Sequence, residues 1–196
     1  MSHHGGVIDG FLTGQLLVAS PSMADDNFDR AVILVVDHDE AGALGVVINR
    51  PSTIDVGAIL PDWHVYSSKP AVVFDGGPVG RDSALALGAL LPSRTPDTGE
   101  PLGFRQFFGH LGLVDLDAAP EDVAGDIGAL RVFAGYAGWA PDQLEQEVSQ
   151  GAWFVVDSLP EDPFHTQPDE LWHEVLRRQP GSMSWLASYP DDPTMN

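Results

Sequence analysis

Residues 131–153 read RVFAGYAGWAPDQLEQEVSQGAW, with Gly135, Tyr136, Gly138 and Trp139 set between a strand-like and a helix-like segment. Glycine-rich strand-to-helix turns bind phosphate when successive backbone N–H groups turn inward and a Lys or Arg completes the cradle. Here the nearest cation is Arg131, back in the strand, while Asp142 and Glu145 occupy the positive helix end that an anion would want. Pro141 suits a first helical turn and Gly151 a helix stop. The stretch therefore reads as a tight corner followed by a helix. The alternative is a small-molecule or peptide site walled by Tyr136 and Trp139.

A second candidate is DGGPV, where Gly76, Gly77 and Pro78 allow a sharp turn or a backbone anion nest, with Asp75 opposing an anion. Arg50, in the turn Asn49-Arg50-Pro51, and Arg81 both follow strands in a chain poor in cations, so either could hold a small anion. Salt bridges to the many carboxylates are the plainer role for both. The run Asp37-His38-Asp39-Glu40 has hard-cation ligand types but not the alternating spacing of a calcium loop, and reads as a solvated hairpin turn. Five histidines beyond the tail pair His3-His4 are scattered singly, with no zinc-type pair. No Gly-x-Ser-x-Gly elbow is present. These readings point to no catalytic residues, no metal and no cofactor.

The elements that must position these groups alternate imperfectly. Strands are expected at Gln15–Ser20, at 31–36 and 44–48 joined by an acidic hairpin turn, at 71–74 and 83–90, at 131–136 and at 152–157. Pro51 is expected to end the third of these, and a short helix capped by Ser52 or Thr53 to follow. Helical segments are expected near 119–129, 141–150 and 168–181, the last with Leu171, Trp172, Val175 and Leu176 on one face. The strand–helix–strand run over 131–157 reads as a βαβ-like unit. Pro92–Gly103 is a polar Pro/Gly loop suited to a flap, and residues 1–8 and 188–196 read as tails. Hairpins mixed with crossovers indicate an α+β fold with a mixed sheet in one domain.

Composition limits the partners. The 196 residues carry 29 Asp plus Glu against 9 Lys plus Arg, a net charge of −20, and Lys69 is the sole lysine. Non-specific DNA affinity comes from cations displacing counterions, so this surface opposes direct nucleic-acid contact and anionic membranes alike. With no cysteine, disulfides, thiolate metal sites and thiol catalysis are excluded. The N-terminus lacks a Lys or Arg before its first apolar stretch, unlike a signal peptide, and no apolar run reaches membrane-span length. The cytoplasm is the expected compartment.

Taken together and in order, GQLLVASPSM, GALGVVINRP, GGPV and RVFAGYAGWAPDQLEQEVSQGAWFVVD resemble the YqgE/AlgH family of bacterial proteins, from about Gly14 to about Trp185. The resemblance implies a single α+β domain whose mixed, split β-sheet curls into a pseudo-barrel with flanking helices. It implies no agreed catalytic residues, and some members carry the label of transcriptional regulator. Many relatives have a histidine after the strand that follows the Gly-Gly-Pro-Val turn. Here Leu87-Gly88 stands in that region, so no role for that histidine carries over. The expected function is a non-enzymatic binding or regulatory protein that recognises a protein partner or a small ligand through Asn49, Arg50 and the aromatic–glycine stretch. A small-anion or nucleotide-dependent enzyme using Arg50 or Arg81 is the alternative.

Overall fold

The computed structural model describes residues 10–23, 25–94 and 99–188. Short apolar runs become β1 (Gln15–Ala19), β2 (Val32–Asp39) and β3 (Gly42–Val47), paired antiparallel in chain order. Pro51 does not end β3. It opens an edge strand, β4 (Pro51–Asp55), where its missing N–H interrupts no ladder. The following helix, α1 (Val56–Ile59), is capped not by Ser52 or Thr53 but by Asp55, whose Oδ1 accepts the Gly57 N–H at 2.7 Å. A 3₁₀ turn (Pro61–Tyr66) leads to β5 (Val72–Asp75), which pairs antiparallel with β4.

Beyond the Gly-Gly-Pro turn run β6 (Val79–Leu90) and then a hairpin absent from the sequence reading, β7 (Phe104–Phe108) and β8 (Leu111–Val114). A short helix, α2 (Pro120–Ala124), precedes β9 (Ile127–Trp139), and α3 (Gln143–Ser149) and β10 (Trp153–Asp157) follow it. The C-terminal helices are α4 (Leu171–Arg177) and α5 (Met183–Leu186). The sheet order is β10-β1-β2-β3-β9-β6-β8-β7, with β4 joined through β5 to β9. The strand–helix–strand unit β9-α3-β10 exists, but β3, β2 and β1 lie between its two strands.

β9 is the hinge of this curled, split sheet. One edge pairs with β6 from Ile127 to Tyr136, while the other pairs parallel with β5 at Phe133 and Ala134 and antiparallel with β3 from Ala137 to Trp139. Phe133 and Ala134 thus have β5 on one side and β6 on the other, although β5 and β6 are consecutive in the chain. Gly76-Gly77-Pro78 must therefore cross the β9 backbone. Gly76 N–H donates to Ala134 O at 2.9 Å, and Gly76 O accepts Val47 N–H at 2.9 Å. A Cβ on Gly76 would lie 2.3 Å from Gly135 O; one on Gly77, 2.3 Å from the Tyr136 carbonyl carbon; one on Gly135, 2.5 Å from Gly77 O. Gly77 and Gly135 also take φ of +147° and +74°. Glycine is the residue that permits both the backbone conformation and the approach. This corrects the corner reading: 131–139 is continuous strand, and the chain turns afterwards, at Ala140-Pro141-Asp142.

The core has three parts. Inside the curl, buried side chains from eight strands, among them Leu16, Leu34, Val46, Phe74, Leu87 and Phe133, meet Leu171, Trp172, Val175 and Leu176 of α4. The four helix positions expected on one face are those buried, and the Trp172 indole donates to Ala19 O at 2.9 Å. On the outer face of β1–β3 and the end of β9, Leu17, Ile33, Val47 and Ala137 pack under Leu144 of α3 with Trp139 and Trp153. On the outer face of the other half, Val56 and Trp63 pack with Phe104, Val123, Leu130 and Val132.

Part of the expected flap, residues 95–98, lies outside the described residues, as do both expected tails apart from Ser188. The loop's first stem is anchored where Arg94 Nε and Nη2 donate to Asp126 Oδ1 and Oδ2 at 2.7 and 2.5 Å.

Two stability measurements follow from this architecture. Gly135→Ala should cost more than about 2 kcal/mol in urea unfolding, the range of steric and positive-φ defects. Gly138→Ala, where the nearest atom to a Cβ is Tyr136 Cε2 at 3.6 Å, should be nearly neutral. The hydrogen bonds from Arg94 hold the Asp126 carboxyl below its usual range. A depressed folded pKa contributes stability above the unfolded value, about 3.9, that is lost as pH falls through the folded value. The deficit in melting temperature of Arg94→Gln should therefore be full at neutral pH and shrink toward zero as acid protonates Asp126.

Candidate functional site

The residues singled out in the sequence separate into three places. Gly76, Gly77, Pro78, Gly135 and Tyr136 form the crossing. Arg81 sits beside it, in a bulge of β6 between the pairs Val79–Tyr136 and Ala84–Ala134, and its Nη2 donates to Asp75 Oδ2 at 2.9 Å. Asn49 is buried: its Oδ1 accepts Val32 N–H at 2.8 Å and its Nδ2 donates to Arg30 O at 2.9 Å. Arg50 donates to the carbonyls of Asn27 and of Asp29, the latter at 2.9 Å, while its own carbonyl accepts the Asp75 N–H at 2.8 Å. Asn49 and Arg50 thus tie the 27–30 loop to the start of β4. Arg131 is also engaged, donating to the carbonyls of Pro163, His165 and Lys69 at 3.0, 3.1 and 2.7 Å, with its guanidinium 4.2 Å from the Phe74 ring centroid. Burial alone lowers its pKa to about 10.

Gly138 and Trp139 belong to the third place, a cleft of about 360 Å³ on the outer face of the β1–β3 half. Its lining combines Gly138 and Trp139 from the end of β9, Gln143 and Glu147 from α3, Ala152 and Trp153 at β10, and Met23, Asp25 and Phe28 from the loop between β1 and β2. Gln143 and Glu147 are one helical turn apart, so α3 presents both toward the same side. Glu147 Oε2 accepts both indole N–H groups, from Trp139 at 2.9 Å and Trp153 at 2.8 Å, and its Oε1 accepts Gln143 Nε2 at 2.9 Å. The rings meet edge to face, Trp139 on Trp153 with centroids 6.2 Å apart and Phe28 on Trp153 at 5.5 Å. One carboxylate therefore sets the orientation of two tryptophans.

Bonds outside the cleft hold α3 in place. Gln143 Oε1 accepts the Ala140 N–H at 3.0 Å across the turn. His38, at the β2–β3 hairpin, is buried, and its Nδ1 accepts the Leu12 N–H at 3.0 Å. That bond places the ring proton on Nε2, which donates to Glu145 Oε1 of α3 at 2.9 Å. His38 is thus a fastener between hairpin and helix.

Glu147, Trp153, Phe28 and Met23 were not singled out from the sequence. The i, i+4 spacing of Gln143 and Glu147 was a usable signal for the first, whereas Phe28 and Met23 arrive through tertiary packing. Among the described residues, no group of three or more His, Asp or Glu is placed to hold a metal ion, and no helix is long and apolar enough to cross a membrane.

Comparison with known proteins bears on this arrangement. The AlgH-like family model, DUF179, matches residues 16–184, which span β1 to α5 and include the crossing and the cleft. A UPF0301 protein of Streptomyces coelicolor is 56% identical over 185 residues, covering 94% of this chain and 95% of that protein. A UPF0301 protein of Thermobifida fusca is 46% identical over 195 residues, covering 94% and 96%. The crystal structure of a Corynebacterium diphtheriae protein superposes with a TM-score of 0.85 at 32% identity, over 91% of this chain and 92% of that one. The solution structure of AlgH from Pseudomonas aeruginosa superposes with a TM-score of 0.66 at 29% identity, over 94% and 97%. The curled, split sheet and the sequence likeness agree, and the chain belongs to the AlgH-like family.

Proposed function

We propose that this chain is a non-enzymatic cytoplasmic binding protein that acts in regulation by recognising a protein partner, and that the Trp139–Trp153–Glu147 cleft is its recognition surface. The observation that carries this reading is the cleft itself. It has aromatic walls whose orientation is set by one carboxylate, and it lies next to the exposed backbone of Gly138. Tryptophan is enriched among the side chains that carry binding energy at protein interfaces, and here the two buried indoles back the surface formed by Phe28, Glu147 and Gly138. The net charge of −20 favours contact with a protein over direct contact with DNA. The enzyme alternative would need Arg81 released from Asp75, or Arg50 from the carbonyls of Asn27 and Asp29.

Two measurements test this reading. Gly138→Gln places a side chain at the cleft mouth without a backbone clash, so its unfolding free energy should stay within about 0.5 kcal/mol of wild type, as for ordinary surface changes. In paired affinity captures from the native cell, this variant should lose a partner that the wild type retains in stoichiometric amount. An unchanged set of partners would contradict the assignment of the cleft. In anisotropy titrations at about 50 mM salt, duplex DNA should show negligible binding. Affinity that falls steeply with added salt would restore direct DNA contact.

A further inference from the structure

We infer that the group received by this cleft is a cation, the ammonium or guanidinium of a lysine or arginine side chain carried by the partner protein. The inference rests on the binding role proposed for the cleft and adds the chemistry of what enters it. Three aromatic rings, Phe28, Trp139 and Trp153, share the lining with two carboxylates, Asp25 and Glu147, and none of the lining residues is Lys, Arg or His. An anion entering would meet both carboxylates, whereas a cation would meet them together with the half-buried Phe28 ring, behind which Trp139 and Trp153 lie buried.

Glu147 is suited to this use. Its two oxygens accept three N–H groups, and a carboxylate offers about four acceptor positions, so capacity for one more donor is left. Those bonds also hold the indoles in place before anything binds, which removes rotamer ordering from the cost of association. Arg50 reaches the same rim loop, but its donors are engaged on the Asn27 and Asp29 carbonyls, so it turns to the backbone rather than to the cleft carboxylates. The acidic surface adds a long-range attraction for a basic partner and raises its encounter rate.

The test uses the full chain and four probes: acetylated, amidated Gly-Lys-Gly and Gly-Arg-Gly, the uncharged isostere Gly-norleucine-Gly, and choline as a free ammonium. Binding is read by calorimetry and tryptophan emission. The lysine or arginine peptide should saturate, with the norleucine peptide at least about tenfold weaker, the scale of a partly desolvated cation–π and charge contribution. Glu147→Gln should weaken the cationic peptides by a similar factor. Asp25→Asn, on the exposed rim, is the second variant should Glu147→Gln unfold, and it should weaken them by a smaller factor. Equal affinity for the norleucine peptide, or no saturation by either cationic peptide, would overturn the cation assignment. Choline binding more tightly than both peptides would overturn a protein side chain as the source and assign a small ammonium compound instead. If Gly138→Gln loses its partner while no cationic peptide binds, the cleft is an interface of different chemistry. If cationic peptides bind while capture by Gly138→Gln is unchanged, the partner docks elsewhere.

Discussion

The structure depends on the passage of one backbone across another. Gly76-Gly77-Pro78 crosses β9 at Gly135-Tyr136 at a distance that leaves no room for a Cβ on Gly76, Gly77 or Gly135. Because of that crossing, β5 and β6 flank β9, and a strand of 13 residues becomes the shared seam of both halves of the sheet. β5 leaves this edge of β9 at Ala134 and β3 takes it over from Ala137, and the Gly76 carbonyl bridges the junction by accepting the Val47 N–H. The split of the sheet follows from this exchange of neighbours. Its curl then buries a common interior capped by α4, and leaves two outer faces covered by short helices.

The same strand connects the crossing to the cleft. Arg131 anchors its first half to the carbonyls of Lys69, Pro163 and His165, the glycine crossing holds its middle, and its last residues, Gly138 and Trp139, form one wall of the cleft. The helix that follows supplies Glu147, and the strand after it supplies Trp153, so a cleft drawn from distant elements is largely encoded within residues 138–153. Its remaining wall is the loop between β1 and β2, held by Arg50. A role for the glycine-rich stretch in binding and a role in folding are therefore compatible, since they fall on different glycines. Gly135 is required by the backbone, while Gly138 is sterically unconstrained and exposed at the cleft mouth.

Most apolar strands, α3 and the buried face of α4 were legible because continuous β-branched runs and helical spacing record burial directly. The family resemblance was legible from the order of the motifs. The hairpin of β7 and β8 was not, because FRQFFGHLGLV mixes glycine and polar residues without a clean alternation and gains its ladder from β6. The crossing was hidden for a related reason. Gly76-Gly77 and Gly135, about 60 residues apart in the chain, look like parts of two local turns, and only the pairing of both β5 and β6 with β9 reveals that they face each other. Trp139 was singled out as a candidate binding ring but was not legible as a buried one, since its hydrogen bond to Glu147 and its packing on Trp153 are tertiary facts.

The central claim, that two indoles held by one carboxylate form a cation-receiving cleft, is most directly tested by nuclear magnetic resonance of the five indole N–H groups during titration with the acetylated, amidated Gly-Arg-Gly peptide. The signals of Trp139 and Trp153 should shift together and saturate at one midpoint, with those of Trp63, Trp172 and Trp185 unmoved. Shifts confined to the exposed Trp185, or no saturable shift in the paired indoles with either this peptide or its lysine counterpart, would contradict the account.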